Sequence, residues 1–429
     1  MQDDSGSLLR NRNFLWHLSG AVINMLGDQF TILAMPWLVV KMTYDPLAVG
    51  AVLALSSVPR FIFLLLGGAL VDRYSPKRVL MLGRYANTLL LGTFGGLVLT
   101  GSVNIWIVYV FALLTGLSSA FYIPAARSLL PHIVPAAQVQ PATSIVNSCR
   151  QVSMMAVPPL AGVLISLFGD GENGVATHAT GLAVAFLFDA FTFAASILTL
   201  ARVRITPAEA GSAPGHQART LALVGEGLRY AWQNMELRIV IIYVAVISLC
   251  VSGPIVVSIP MLASQIGQSA LSLGILNGAF GAGSLAGTGL AGSRPSWARG
   301  SLATMMLLGD CVNGLLFLVM AHVDQIYQAA VLLFIVGLSV GFIQIYVAGW
   351  LQITTPKMMI GRMLSLFMLI TFGVSPLSGI LAGWAMRQVD ISMLFTGSGI
   401  LLLVIVLVAW TISPMRNVFA VREGRAGDL

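Results

Sequence analysis

Charge is what this sequence has least of. Only 9% of its 429 residues are Asp, Glu, Lys or Arg, too few to solvate the surface of a water-soluble domain of that length. Cysteine is nearly absent. Cys149, Cys250 and Cys311 are odd in number, isolated and inside apolar runs, which indicates neither a disulfide framework nor a metal site. His17, His132, His178, His216 and His322 fall near the ends of apolar runs or between them, with no zinc-like spacing and no Ser-His-Asp arrangement. A glycine-rich phosphate loop ending in lysine is missing as well, which argues against ATP-driven work. The expectation is a non-enzyme with no cofactor, no metal and no catalytic residue.

What is present is hydrocarbon. The chain is 57% hydrophobic, and apolar runs of about 20 residues, the length that spans a bilayer, recur along it. Twelve such runs fit with short connections, near 14–40, 47–71, 79–99, 105–130, 142–168, 179–201, 238–263, 270–292, 300–321, 326–353, 361–386 and 392–413. The predicted fold is therefore an all-α integral membrane protein of twelve transmembrane helices in two six-helix, pseudo-symmetric halves. The halves are residues 1–201 and 238–429. Between them lies a cytoplasmic linker, 202–237, whose stretch from Leu221 to Leu237 reads as an amphipathic surface helix carrying Glu226, Arg229, Trp232 and Glu236. Asn24 and Asp28 interrupt the first run, so no cleavable signal is expected.

Positive charge orients the spans. Of 23 Lys and Arg, Lys41 and Arg387 fall on the outer side and Arg60 and Arg150 within spans, leaving 23 − 4 = 19 in or beside cytoplasmic loops if both termini are cytoplasmic. Such a bias fixes topology in a bacterial inner membrane. A net charge of +7 spread over these loops points to membrane lipid and not to nucleic acid. The halves also echo each other. Pro159-Leu160-Ala161-Gly162 matches Pro376-Leu377-Ser378-Gly379, and Gly68, Asp72 and Pro76 align with Gly287, Ala291 and Pro295. Two halves related along the membrane normal suit a rocking transporter.

Five charges lie inside spans: Asp28, Arg60, Arg150, Asp189 and Asp310. Each costs about 2.5–3.5 kcal/mol on insertion scales and needs a reason. At about 1.5 Å of rise per residue, Asp28, Arg60 and Asp189 sit roughly 21, 18 and 20 Å from their cytoplasmic helix ends, at one level. Asp28 then takes and releases a proton with Arg60 tuning it, or the two form a permanent pair that fixes packing. Asp189 and Asp310 are weaker candidates for coupling. Arg150 binds an anionic substrate or answers an acid on a neighbouring helix. Asn24, Gln29, Tyr122, Asn277, Asn313 and Gln344 are candidates to line a cavity, or to bond helices together.

The hairpin Asp72-Arg73-Tyr74-Ser75-Pro76-Lys77-Arg78 joins the second and third spans. Here the chain resembles the major facilitator superfamily, whose loop pattern G-x-L-x-D-R-x-G-R-[KR]-x is met by Gly68, Leu70, Asp72, Arg73 and Lys77, with Arg78 at its last position. Ser75 and Pro76 depart from it. Further similarity lies in Gly27-Asp28, Ala34-Met35-Pro36-Trp37, Phe121-x-x-Pro124-Ala125, Glu226-Gly227-Leu228-Arg229-Tyr230, Leu237-Arg238 and Gly361-Arg362. Together these resemble the drug:proton antiporter branch that includes macrolide-efflux proteins and the enterobactin exporter. The resemblance implies export of small amphipathic substrates driven by inward proton flow, by a monomer. It implies a cytoplasmic latch at Gly68, Asp72, Arg73, Lys77 and Arg78, with Arg127 as a further cation, and a helix-5 bend at Pro158, Pro159 and Gly162. Val157 stands where that bend's glycine is expected. A siderophore, a lysophospholipid or a metal ion as cargo remains open, as does a non-transporting receptor or scramblase.

Overall fold

The structure, a computed structural model, describes residues 8–171, 179–205, 216–293, 302–356 and 358–411. Within these ranges the side chains of 64–70, 72–73, 216–224, 302–303 and 372 are not described. The described residues form helices and turns with no strand. The helices are α1 (Arg12–Thr43), α2 (Pro46–Arg73), α3 (Pro76–Leu99), α4 (Ile105–Leu129), α5 (Val139–Phe168), α6 (Thr180–Arg202) and α7 (His216–Gln233). They continue as α8 (Met235–Leu262), α9 (Ala270–Ser293), α10 (Leu302–Met320), α11 (Ile326–Thr354), α12 (Ile360–Gly373), α13 (Ser375–Ala385) and α14 (Ile391–Thr411). Ten candidate spans are long and apolar enough to cross a membrane, α12 and α13 counting as one. The apolar stretch Thr304–Met320 of α10 and the 24-residue α3 complete twelve.

Local chemistry sets the boundaries. Asn11, Asn104 and Asn234 start α1, α4 and α8 by accepting the first free backbone N–H groups. Tyr44 ends α1 in the left-handed region at φ 50°, and Pro46 opens α2, where a missing N–H costs nothing. Asn234 also sets a helix boundary inside the linker. The surface helix ends at Gln233, and the next span starts at Met235, inside the stretch read as amphipathic helix. The eleventh span is broken at Val374, just ahead of Ser375-Pro376, because proline cannot bond back to the preceding turn.

The chain separates into two compact units. Unit 1 is Met1–Thr220 with Gln268–Gly278; unit 2 is Leu221–Gly267 with Ala279–Leu429. Within unit 1, α2 packs on α4, while α1 and α3 both pack on α6. Phe94 stacks on Phe111 at 3.9 Å and meets Phe186 edge-on at 4.8 Å, contacts of about 0.5–1.5 kcal/mol each beyond their burial. Unit 2 repeats the pairing: α10 on α14, and α8 on α13 and α14.

Lipid gives apolar helices no hydrophobic drive to associate, so close backbone approach has to supply the contact. Gly283-x-x-x-Gly287 on α9 faces Gly337-x-x-x-Gly341 on α11, and a Cβ on any of the four would overlap the other helix's backbone. At the α8–α13 crossing, Gly253 N donates to Ser378 Oγ at 2.6 Å, and that hydroxyl donates onward to Leu249 O. A serine from α13 is thus inserted into the rung between Leu249 and Gly253 of α8, a recognised cause of local helix bending.

Candidate functional site

The charges of unit 1 gather around Asp28. Its side chain is half-buried on α1, and it forms no direct ion pair among the described residues. Arg60 from α2, Arg150 from α5 and Arg84 from α3 all act on it electrostatically. Arg60 is not locked to it: its Nε donates to Ser119 Oγ on α4 at 2.8 Å, and that hydroxyl donates onward to Gly116 O at 2.7 Å. A permanent Asp28–Arg60 pair is therefore not what holds these helices together. Arg150 lies exposed on α5.

Asp189 on α6 is the second acid of the group, 1% exposed. Thr31 Oγ1 donates to its Oδ2 at 2.5 Å and Thr192 Oγ1 to its Oδ1 at 3.2 Å. Asp28 lies within electrostatic range of it. Gly27 explains how α1 and α6 come so near, because a Cβ there would overlap Thr192 Oγ1 and Asp189 Oδ1. One acid is reachable and unpaired; the other is locked.

Sequence reasoning missed Arg84. The charge count above places it beside the cytoplasmic loop, yet it lies eight residues into α3, about 12 Å from that helix's start. It is 4% exposed, and its Nη1 donates to Ser196 O on α6. The usable signal was its distance from the hairpin: Arg78 can reach headgroups, whereas a residue two turns deeper cannot easily do so. His17, buried on α1 and acted on by Arg84, was also passed over.

The remaining candidates scatter. Lys77 Nζ caps the end of α6, donating to Ala201 O and Val203 O at 3.1 and 2.6 Å, where a cation satisfies free carbonyls. Arg78 is exposed, and Arg127, exposed at the end of α4, has Arg150 as its charged neighbour. The side chains of Gly68, Asp72 and Arg73 lie outside the described residues. Pro158 and Pro159 sit inside an uninterrupted α5. Around them α5 meets the start of α9: Gly162 packs on Ala270 O, Gly274 on Pro158 O, and Gly278 on the Pro159 ring.

Asn24 is buried, while Gln29, Tyr122, Asn277 and Gln344 are half-buried. Asn277 Nδ2 donates within its own helix, to Leu273 O at 3.0 Å. Asp310 belongs to unit 2, where Tyr243 OH donates to its Oδ2 at 2.7 Å. Asn313 also hydrogen-bonds it. At the far end of α5, Asp170 Oδ2 accepts from Trp37 Nε1 at 3.3 Å and Ala270 N at 3.0 Å, with Lys41 Nζ at 3.8 Å. This gives Lys41, an outlier of the charge count, its reason.

A Major Facilitator Superfamily domain matches residues 18–379. The multidrug efflux pump Tap of Mycolicibacterium fortuitum is 26% identical over 381 residues, covering 83% of this chain and 85% of that protein. The enterobactin exporter EntS of Salmonella choleraesuis is 28% identical over 176 residues, 41% of this chain and 40% of that protein. Among solved structures, that of the nucleoside transporter NupG superposes with a TM-score of 0.73 at 12% identity, covering 92% of this chain and 99% of that one. At that identity the likeness concerns the fold alone.

Proposed function

Because the chain belongs to the Major Facilitator Superfamily, a transporter family and not an enzyme family, we propose that it exports amphipathic drugs or similar small molecules across a bacterial inner membrane in exchange for protons. Both termini face the cytoplasm, and two six-helix halves, 1–201 and 238–429, alternate access around the 202–237 linker. Likeness to a multidrug efflux pump over most of the chain supports the direction and the breadth of cargo.

One observation carries the proton coupling: Asp28 is half-buried, without an ion-pair partner among the described residues, and acted on by three arginines and a second acid. A residue placed there for packing would be paired and shut away. Asp28 instead is open to a proton or to cargo, with three arginines acting on its charge. Competition follows directly. A proton neutralises Asp28 in one half of the cycle, and a cationic or polar group of the cargo meets the ionised carboxylate in the other.

A second cargo class, a siderophore, is favoured by the similarity of part of the chain to an enterobactin exporter. Proteoliposomes loaded with ethidium, erythromycin or enterobactin and given an imposed pH gradient separate the two. Proton-coupled drug export predicts gradient-driven movement of ethidium and erythromycin that an ionophore abolishes. Movement of enterobactin alone transfers the account to the siderophore, and indifference of all three to the gradient removes proton coupling.

A further inference from the structure

Three buried polar atoms of unit 1 have no protein partner among the described residues: His17 Nδ1 and Asn24 Oδ1 on α1, and Arg84 Nε on α3. Their residues are 5%, 8% and 4% exposed. They are not scattered. His17, Gly20, Asn24, Gly27 and Thr31 fall at alternating spacings of three and four, one stripe of α1. Asp189, Thr192, Ser196 and Thr199 form a stripe of the same kind on α6.

The two stripes face each other at three levels. Gly20 lies against Thr199 and Arg84, Gly27 lies against Thr192 and Asp189, and Thr31 bonds Asp189. Arg84 closes the third side by donating to Ser196 O. A continuous polar seam therefore runs from His17 to Asp189 between helices that are otherwise apolar.

Buried polar groups are almost always satisfied by protein or by ordered water. A buried water needs room and two to four polar partners; α1 and α6 touch at Gly20 and Gly27, so the places for water are beside the orphan atoms of His17, Asn24 and Arg84. Thr192, Ser196 and Thr199 donate to carbonyls of their own helix, which leaves hydroxyl lone pairs to accept from water. From His17 to Thr31 is 14 residues, roughly 21 Å of helix, so side chains alone do not connect the ends.

We infer that the α1–α6–α3 seam is a hydrated proton path joining Asp189 to the His17 end of α1, separate from the route cargo takes past Asp28. This rests on the proton coupling proposed above and supplies its exit. A proton taken up by Asp28 passes to the neighbouring Asp189 carboxylate, then along the seam's waters to the aqueous side at His17; no other bond is made or broken. The charged and titratable groups bearing on the seam and its acids are His17 and Asp28 from α1, Arg60 from α2, Arg84 from α3, Tyr122 from α4, Arg150 from α5 and Asp189 from α6. Arg84 is the barrier among them. A fixed cation on the path opposes a free hydronium, so protons pass it slowly and under the gradient.

The test uses the full chain in proteoliposomes, with ethidium as cargo. Hydroxyl radicals generated in place by X-rays label side chains that touch water. His17 is expected to be oxidised within about fivefold of the exposed His322, while the dry, fully buried Phe14 is not. His17→Leu is expected to slow gradient-driven ethidium efflux about tenfold while ethidium exchange without a gradient stays within about twofold. His17→Gln, which keeps a polar end, restores most of the driven rate. An unlabelled His17, or driven efflux undiminished in His17→Leu, overturns the path. If the native protein drives no ethidium under a gradient, the proton-coupled reading fails and the seam's role in transport with it, while the labelling still reports separately whether the seam holds water.

Discussion

In the proposed coupling, Asp189 is the locked acid and Asp28 the open one, and substitution separates structure from transport at each. Asp189 accepts from Thr31 at 2.5 Å. Asp189→Asn keeps an acceptor for that hydroxyl, so unfolding of the purified protein is expected to shift by less than about 1 kcal/mol. Asp189→Leu strands the Thr31 hydroxyl in a buried seam and is expected to cost about 1–3 kcal/mol. Both are expected to lose gradient-driven transport. Thermal unfolding of the two variants beside a transport assay checks the pair; a leucine variant as stable as the asparagine one removes the Thr31 bond from the account. Asp28, Arg60, Arg150, Asp189 and Asp310 were all legible in the sequence, because a charge within an apolar run announces itself. Arg84 and His17 were not. Each lies close enough to a polar run end to pass for a surface residue, and only the third dimension shows both buried, with Arg84 bonded to α6.

Helices were read from the sequence to within a few residues, since apolar length and boundary residues such as Asn104 decide them locally. Two departures share one origin. Asn234 caps a helix inside what amphipathic periodicity presents as one segment, and Val374 divides a span whose hydropathy is unbroken. Hydropathy reports where lipid is, and capping and proline report where hydrogen bonds stop. Which faces of the helices meet was less legible, and glycine is the clearest guide. Gly283→Ala is expected to destabilise by about 1–3 kcal/mol, as overpacking does, because its Cβ would overlap Phe334 O on α11. Gly289→Ala, on the same helix with open space around it, is expected to be neutral or slightly stabilising through helix propensity. Unfolding in one detergent compares the two directly, and equal effects contradict a glycine-mediated α9–α11 contact.

At the scale of the whole molecule, both units use the same pairing of helices, as the eroded repeat suggested. Their chemistry differs. Unit 1 holds two acids among three arginines, whereas in unit 2 Asp310 is closed off by Tyr243 and Asn313. Unit 2 instead carries most of the surface helix α7, tied by Glu226 to Arg362 at 2.7 Å, an exposed pair worth at most about 1 kcal/mol. The proposed coupling therefore draws on unit 1 alone. The most direct test is proton release from the purified protein in weakly buffered detergent when ethidium is added. The account predicts that the native protein releases protons on binding and that Asp28→Asn binds ethidium without releasing any. Equal release from both would contradict the central place given to Asp28.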